Sequence, residues 1–104
     1  MKPKIICLDD TKRPKVIPLH LWIKKDQEYT LNHIYWHPEQ KTQGFELSEI
    51  ELTEECTPYV SFSAKRFGIK KGELEKYIQL LKECTDLNDI EINSLIEQEE
   101  LELI

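Results

Sequence analysis

Three sets of side chains in the 104-residue chain carry the chemistry that catalysis or metal binding would need. Asp9 and Asp10 stand together after a short apolar run, with Lys12 and Arg13 close behind. Paired carboxylates in that setting can hold Mg²⁺ or exchange protons. A metal would need further ligands, and Glu46, Glu49 and Glu51 are the candidates. The commoner role of Asp-Asp after a strand is a turn in which the carboxylates accept backbone N–H bonds. His33 and His37 have the i, i+4 spacing of a helical zinc motif. On a strand that spacing separates them by roughly 13 Å, and no nearby Glu or Cys completes a site. Cys7, Cys56 and Cys84 are odd in number, widely spaced and free of any C-x-x-C pair, which points to three reduced thiols. Cys7 sits in an apolar run and reads as core. Cys56 sits in a polar loop where it would be accessible, but Glu54 and Glu55 beside it would raise its pKa, so it is a poor nucleophile. Neither G-x-x-x-x-G-K nor G-x-G-x-x-G occurs. The residues call for no catalytic set, no metal and no cofactor.

Binding chemistry is better represented. Lys65, Arg66, Lys70 and Lys71 enclose Phe67, and Lys24 and Lys25 would extend this basic cluster if the fold brings them near. Cations beside an aromatic are what a single-stranded nucleic-acid groove uses. The plainer reading makes Phe67 core, the cations a solvated edge and Arg66 the partner of a carboxylate. Trp22, Tyr35, Trp36 and Tyr59 are many large rings for so small a chain. They fit either an aromatic peptide-binding groove or a core with its polar tips in water.

The elements that must position these residues show as changes of hydrophobic period. Residues 4–8 (KIICL) form a β-rich run, and residues 9–18, with two prolines and five charges, a loop. Residues 19–23 fit a strand edge or a helical turn, and residues 24–27 a polar turn. Residues 28–36 (EYTLNHIYW) are the strongest strand, with Tyr29, Leu31, His33 and Tyr35 on one face. After the polar connection 37–43, Phe45 and Leu47 share a face. Ile50 and Leu52 slip to the other, which a bulge near Ser48 and Glu49 would produce. Residues 53–58 are a loop, and residues 59–69 one or two short strands with a turn near Ser63. Four or five short strands with polar breaks suggest a small antiparallel barrel or sandwich. The period then becomes helical over residues 73–84, where Leu74, Tyr77, Ile78, Leu81 and Cys84 share a face that should pack on the sheet. Ser94 and Glu97 have the spacing of a capping box for a short helix, and residues 101–104 resemble an extended apolar tail.

The order CLDD, IPLHLWIKKDQEYT, GFELSEIEL, PYVSFSAKRFGI over the first 70 residues resembles a set of small uncharacterised bacterial proteins, often associated with prophages or other mobile elements. Its most specific parts are residues 7–10, residues 22–25 with Tyr29 and Thr30, and residues 64–67. The resemblance implies an SH3-like barrel body: a first strand, a long loop, a basic turn, a Tyr-Thr entry to the second strand and a terminal aromatic-Arg-Phe strand. It implies no activity. Where that set usually has glycine after the two lysines, this chain has Asp26.

Charge divides the chain. The 14 Lys and Arg against 20 Asp and Glu give −6. Residues 1–71 hold 12 basic and 10 acidic side chains, a net of +2; residues 72–104 hold 2 and 10, a net of −8. That argues against a basic nucleic-acid-binding tail. The chain has no apolar run of about 18 residues and no apolar stretch of roughly 7–15 near its start, so a cytoplasmic protein without a membrane partner is expected. The acidic end also carries Leu87, Ile90, Ile92, Leu95, Ile96, Leu101, Leu103 and Ile104. So many aliphatics favour docking on the chain's own body, with carboxylates facing Lys65, Arg66, Lys70 and Lys71, over a tail that orders on a partner. The expected architecture is one α+β domain: an SH3-like antiparallel β-barrel over 4–69 within a body of residues 1–71, an amphipathic helix over 73–84, and an acidic extension over 72–104. The expected function is a non-enzymatic protein-interaction module. Its contact residues are drawn from Trp22, Lys24, Lys25, Trp36, Lys65, Arg66, Lys70 and Lys71. Single-stranded nucleic-acid binding through the 65–71 cluster is the alternative.

Overall fold

A computed structural model describes residues 1–39, 42–97 and 102–104. The chain is α+β. Its strands are β1 (Lys4–Cys7), β2 (Glu28–His37), β3 (Thr42–Leu47), β4 (Phe62–Ser63), β5 (Phe67–Ile69) and β6 (Glu102–Leu103). Its helices are α1 (Leu74–Cys84) and α2 (Asp89–Glu97). The strands form one mixed sheet in the order β4-β3-β2-β1-β5-β6. All neighbours are antiparallel except β5 and β6, which are parallel.

The expected closed, wholly antiparallel barrel is therefore not what forms. The sheet's edges are β4 and β6, each two residues long, and no ladder joins them among the described residues. Two residues span too little to curl one edge onto the other.

β1 is central. It pairs with β2 through Ile5 opposite Tyr29, and with β5 through Cys7 opposite Phe67. Between β1 and β2 the chain makes a 20-residue excursion over residues 8–27, whose only regular piece is a 3-10 turn at Leu19–Leu21. It closes at Asp26, whose N–H donates to the Cys7 carbonyl at 2.8 Å. Asp26 has φ 69°. That left-handed region suits glycine, tolerates Asp and strains a β-branched side chain.

The alternation expected along β2 breaks once. Leu31 lies opposite Leu47 and His33 opposite Glu46, so Asn32 is an extra residue. Tyr29 and Leu31 are buried before this bulge and Ile34 after it, so His33 and Tyr35 leave the core face. The bulge expected near Ser48 and Glu49 is thus on the partner strand. β3 simply ends at Leu47, where the chain turns and Ile50 bridges back to Leu47. Cys56 also departs from expectation. A 3-10 turn at Glu54–Cys56 tucks it fully into the core instead of exposing it.

Four rings run through the interior and tie three strands to a helix. Tyr29 meets Phe67 at 6.5 Å, Phe67 meets Phe45 at 5.7 Å, and Phe45 meets Tyr77 of α1 at 6.3 Å. The Tyr77 hydroxyl donates to Gln43, the buried polar side chain beneath it. α1 buries Tyr77, Leu80 and Leu81, while Leu74, Ile78 and Cys84 are half-buried. Leu80 is an addition to the expected face.

Ser94 lies inside α2 and cannot cap it. The cap is Asn88: its Oδ1 accepts the Glu91 N–H at 2.8 Å, and Glu91 accepts the Asn88 N–H at 3.3 Å. This is the expected box, set six residues earlier. α2 sends Ile92 and Leu95 into the core. Of the extended tail, Leu101 lies outside the described residues; β6 follows, and the Ile104 N–H donates to the Ile69 carbonyl at 2.8 Å.

Asp26→Val is expected to lower stability by about 1–2 kcal/mol through left-handed strain. Asp26→Gly should be neutral or stabilising by up to about 1 kcal/mol. Urea midpoints of the two variants check this, and equal midpoints would refute the turn assignment.

Candidate functional site

Arg66 organises the surface where three of the eight expected binding residues, Trp22, Lys65 and Arg66 itself, meet. It sits in a 3-10 turn, Ala64–Arg66, which Ser63 caps by accepting the Lys65 N–H. β1–β5 pairing carries it to the start of the long excursion, where the Leu8 N–H donates to its carbonyl at 2.7 Å. Its guanidinium lies 5.0 Å from the centre of the Trp22 ring. It donates to the carbonyls of Thr11 at 2.7 Å and Asp9 at 3.3 Å, and stands 3.7 Å from the Asp9 carboxylate. Trp22 is only 7% exposed, and its Nε1 donates to the Asp10 carbonyl at 2.7 Å.

Asp9 and Asp10 act as turn formers. Asp9 Oδ1 accepts the Thr11 hydroxyl and, at 2.9 Å, the Thr11 N–H. Asp10 Oδ2 accepts the Lys25 N–H at 3.0 Å. The Thr11 hydroxyl first, then its N–H, hold the Asp9 carboxyl below the usual range, with help from Arg66. Glu46, Glu49 and Glu51 do not join them in a metal site: no group of three or more potential ligands occurs among the described residues. Glu49 instead accepts the Thr30 N–H at 2.8 Å. Burial pushes its pKa up, and the Thr30 bonds bring it down further.

Beside the Arg66 clasp runs an open groove of about 400 Å³. Pro14, Ile17 and Trp22 of the excursion line it together with Tyr59, Phe62 and Lys65, and the Trp22 and Phe62 rings meet at 5.8 Å. His37 and Gly44 lie toward the β2–β3 end. Tyr59 is 42% exposed. A Cβ added at Gly44 would stand 2.2 Å from Ser61 Oγ, so Ser61 would have to shift to admit one. Among the described residues the groove's basic lining residues are His37, Lys65 and Arg66, and no Asp or Glu lines it. A second concavity, of about 490 Å³, has the opposite character, with Glu46 and Glu51 in its lining.

The basic residues do not gather into one cluster. Lys65 and Arg66 precede β5 while Lys70 and Lys71 follow it, so they lie at opposite ends of that strand. Lys70 and Lys71 are exposed. Lys24 and Lys25 belong to the excursion's closing turn with exposed side chains, and the Lys24 N–H donates to the Tyr29 hydroxyl at 2.8 Å. Trp36 is half-buried against the core. Nor do tail carboxylates face Lys65, Arg66, Lys70 or Lys71 in any ion pair of the described residues. Arg66 pairs with Asp9, and the extension's own Lys76 and Lys82 pair with Glu73 and Asp89, each at 2.9 Å.

His33 and His37 stay apart along extended β2. His33 instead meets Cys84, whose Sγ is 3.3 Å from its Nδ1. Nothing in the residue spacing marks this contact, since 51 positions separate the pair and the Asn32 bulge decides which way His33 faces. At Cys7, burial pushes the thiol up to about 11.

Comparison with protein-family models, curated proteins and solved structures gave no match.

Arg66→Ala is expected to cost about 2–3 kcal/mol, from the lost stacking and charged hydrogen bonds. Arg66→Lys should recover only part of that, because an ammonium lacks the guanidinium fork. Denaturant titration measures both. Asp9, Glu49 and Glu73 are all held below their usual pKa. Their contribution is thus complete above the ordinary carboxylate range and is lost as pH falls through and below it. Melting temperature should therefore drop between about pH 4.5 and pH 3, and Asp9→Asn should flatten the drop.

Proposed function

We propose that the protein is a non-enzymatic interaction module whose groove between the long excursion and residues 59–66 receives an extended acidic segment of another protein. The observation that carries this is the groove itself: an aromatic and proline lining with His37, Lys65 and Arg66 and, among the described residues, no carboxylate. Aromatic and proline surfaces suit an extended chain with little side-chain entropy to lose. Cations at the edge select acidic sequences and speed their approach. The Arg66 clasp adds preorganisation, because a wall that is already rigid loses less on binding.

The SH3-like reading of the body belongs to this proposal. It is supported by a first strand followed by a long excursion, a basic turn at Lys24 and Lys25, entry to β2 at Tyr29 and Thr30, and Arg66-Phe67 leading into β5 beside β1. A bacterial mobile-element setting rests on the resemblance of the first 70 residues. Three unpaired thiols suit a reducing compartment, and the proposal places the protein in the cytoplasm. No helix of the described residues is long and apolar enough to cross a membrane.

Tryptophan fluorescence reads the groove, since Trp22 lines it. Titration with a panel of extended peptides should show acidic, proline- or aromatic-containing members binding more tightly than basic ones. Tyr59→Ala with Lys65→Glu should weaken that binding at least about tenfold without lowering the melting temperature. The reading fails if no peptide binds while a single-stranded oligonucleotide does, with a salt-dependent affinity that Lys70→Glu plus Lys71→Glu abolishes.

A further inference from the structure

The contact between α1 and β2 joins a thiol and an imidazole from distant parts of the chain. Cys84 is the last residue of α1 and is half-buried, so a small reagent can reach it. Cys7 and Cys56 are fully buried. His33 Nδ1 lies 3.3 Å from Cys84 Sγ. Tyr35 packs on the His33 ring and is itself held by Glu46. The two rings meet edge-on at 4.6 Å, and the Tyr35 hydroxyl donates to Glu46 at 3.4 Å. Glu46 also accepts from the Asn32 amide at 2.6 Å, which fixes the carboxylate at the bulge. A nucleophile beside a base, with the base held by a further side chain, is the arrangement that activates a thiol.

We propose that Cys84 and His33 form a reactive thiol–imidazole pair whose substrate is a hydroperoxide, making Cys84 a site of oxidation to sulfenic acid. The surroundings separate this from acyl transfer. An acyl intermediate needs donors for its oxyanion. The N–H groups of Thr85 and Leu87 are already engaged, with the Leu81 carbonyl at 3.0 Å and the Thr85 hydroxyl at 3.3 Å, so these two do not form an oxyanion pair. A peroxide needs no such hole. The Cys84 proton moves to His33 Nδ1, and the sulfur attacks one peroxide oxygen. The O–O bond breaks as the S–O bond forms. The departing hydroxide, or the alkoxide of an organic hydroperoxide, takes the proton back from the imidazolium and leaves as water or alcohol. Sulfur is oxidised by two electrons and the peroxide is reduced by two. With Cys7 and Cys56 buried, the sulfenic acid waits for a thiol of another molecule.

The test is intact-protein mass spectrometry after treatment at neutral pH with dilute hydrogen peroxide and dimedone, a trap for sulfenic acid. The expected result is one adduct, mapped to Cys84 and absent in Cys84→Ser. It should form at least about tenfold faster than on free cysteine. His33→Gln should slow it at least about tenfold with an unchanged melting temperature. A purely structural His33 would instead leave the rate unchanged or raise it by exposing the sulfur, and either result overturns the proposal. Should His33→Gln not fold, the wild-type rate decides. A rate no faster than free cysteine, or an adduct on Cys7 or Cys56, refutes the pair.

Discussion

Twenty residues between β1 and β2 run without a ladder of their own, and one cation closes them against the sheet. Arg66 stacks on Trp22 and donates to two carbonyls of the excursion. Trp22 Nε1 takes the Asp10 carbonyl, and the Asp10 carboxylate takes the Lys25 N–H. A loop that buries an indole must satisfy the polar backbone beside it, or lose the gain of burial. Here one guanidinium supplies both stacking and donors, which a lysine could not do. The clasp holds Trp22 in the groove lining, while the Ile17 N–H bond to the Pro14 carbonyl and the Arg13 guanidinium on the Ile17 carbonyl hold its neighbours.

The second constraint is the bulge at Asn32. Without it, Tyr29, Leu31, His33 and Tyr35 would all face the core. With it, Ile34 takes the buried place, and His33 and Tyr35 turn to meet α1 and Glu46. One added residue therefore builds the core strand and the Cys84–His33 contact together. Bulges re-aim side chains in this way, at the cost of one unpaired residue in the ladder. The ring series Tyr29, Phe67, Phe45 and Tyr77 ties α1 to the sheet through Phe45 of β3, and α1 packs along β2.

The charge of −6 conceals two unlike regions, and their docking is apolar. Ile92 and Leu95 of α2 enter the core, and β6 lies along β5 with Ile104 over Gly68. Among the described residues, the extension's carboxylates form ion pairs with its own two lysines. Exposed ion pairs of that kind contribute little, whereas burying two aliphatic side chains contributes about 3–6 kcal/mol. Apolar burial holds the extension.

Local chemistry was legible in the residues themselves. The order of short strands followed by a helix, the apolar face of α1, the turn role of Asp9 and Asp10, and the carboxylate partner of Arg66 all follow from residue type and near-neighbour spacing. The α+β class follows too, because a change of period from two to 3.6 needs only the chain itself. Tertiary structure alone decided which carboxylate Arg66 takes, where the bulge falls, that Cys56 is buried, that the sheet stays open and that Cys84 meets His33. Each of these depends on which strand lies beside which and in what register. A single inserted residue reverses every face beyond it, and no property of that residue announces the shift.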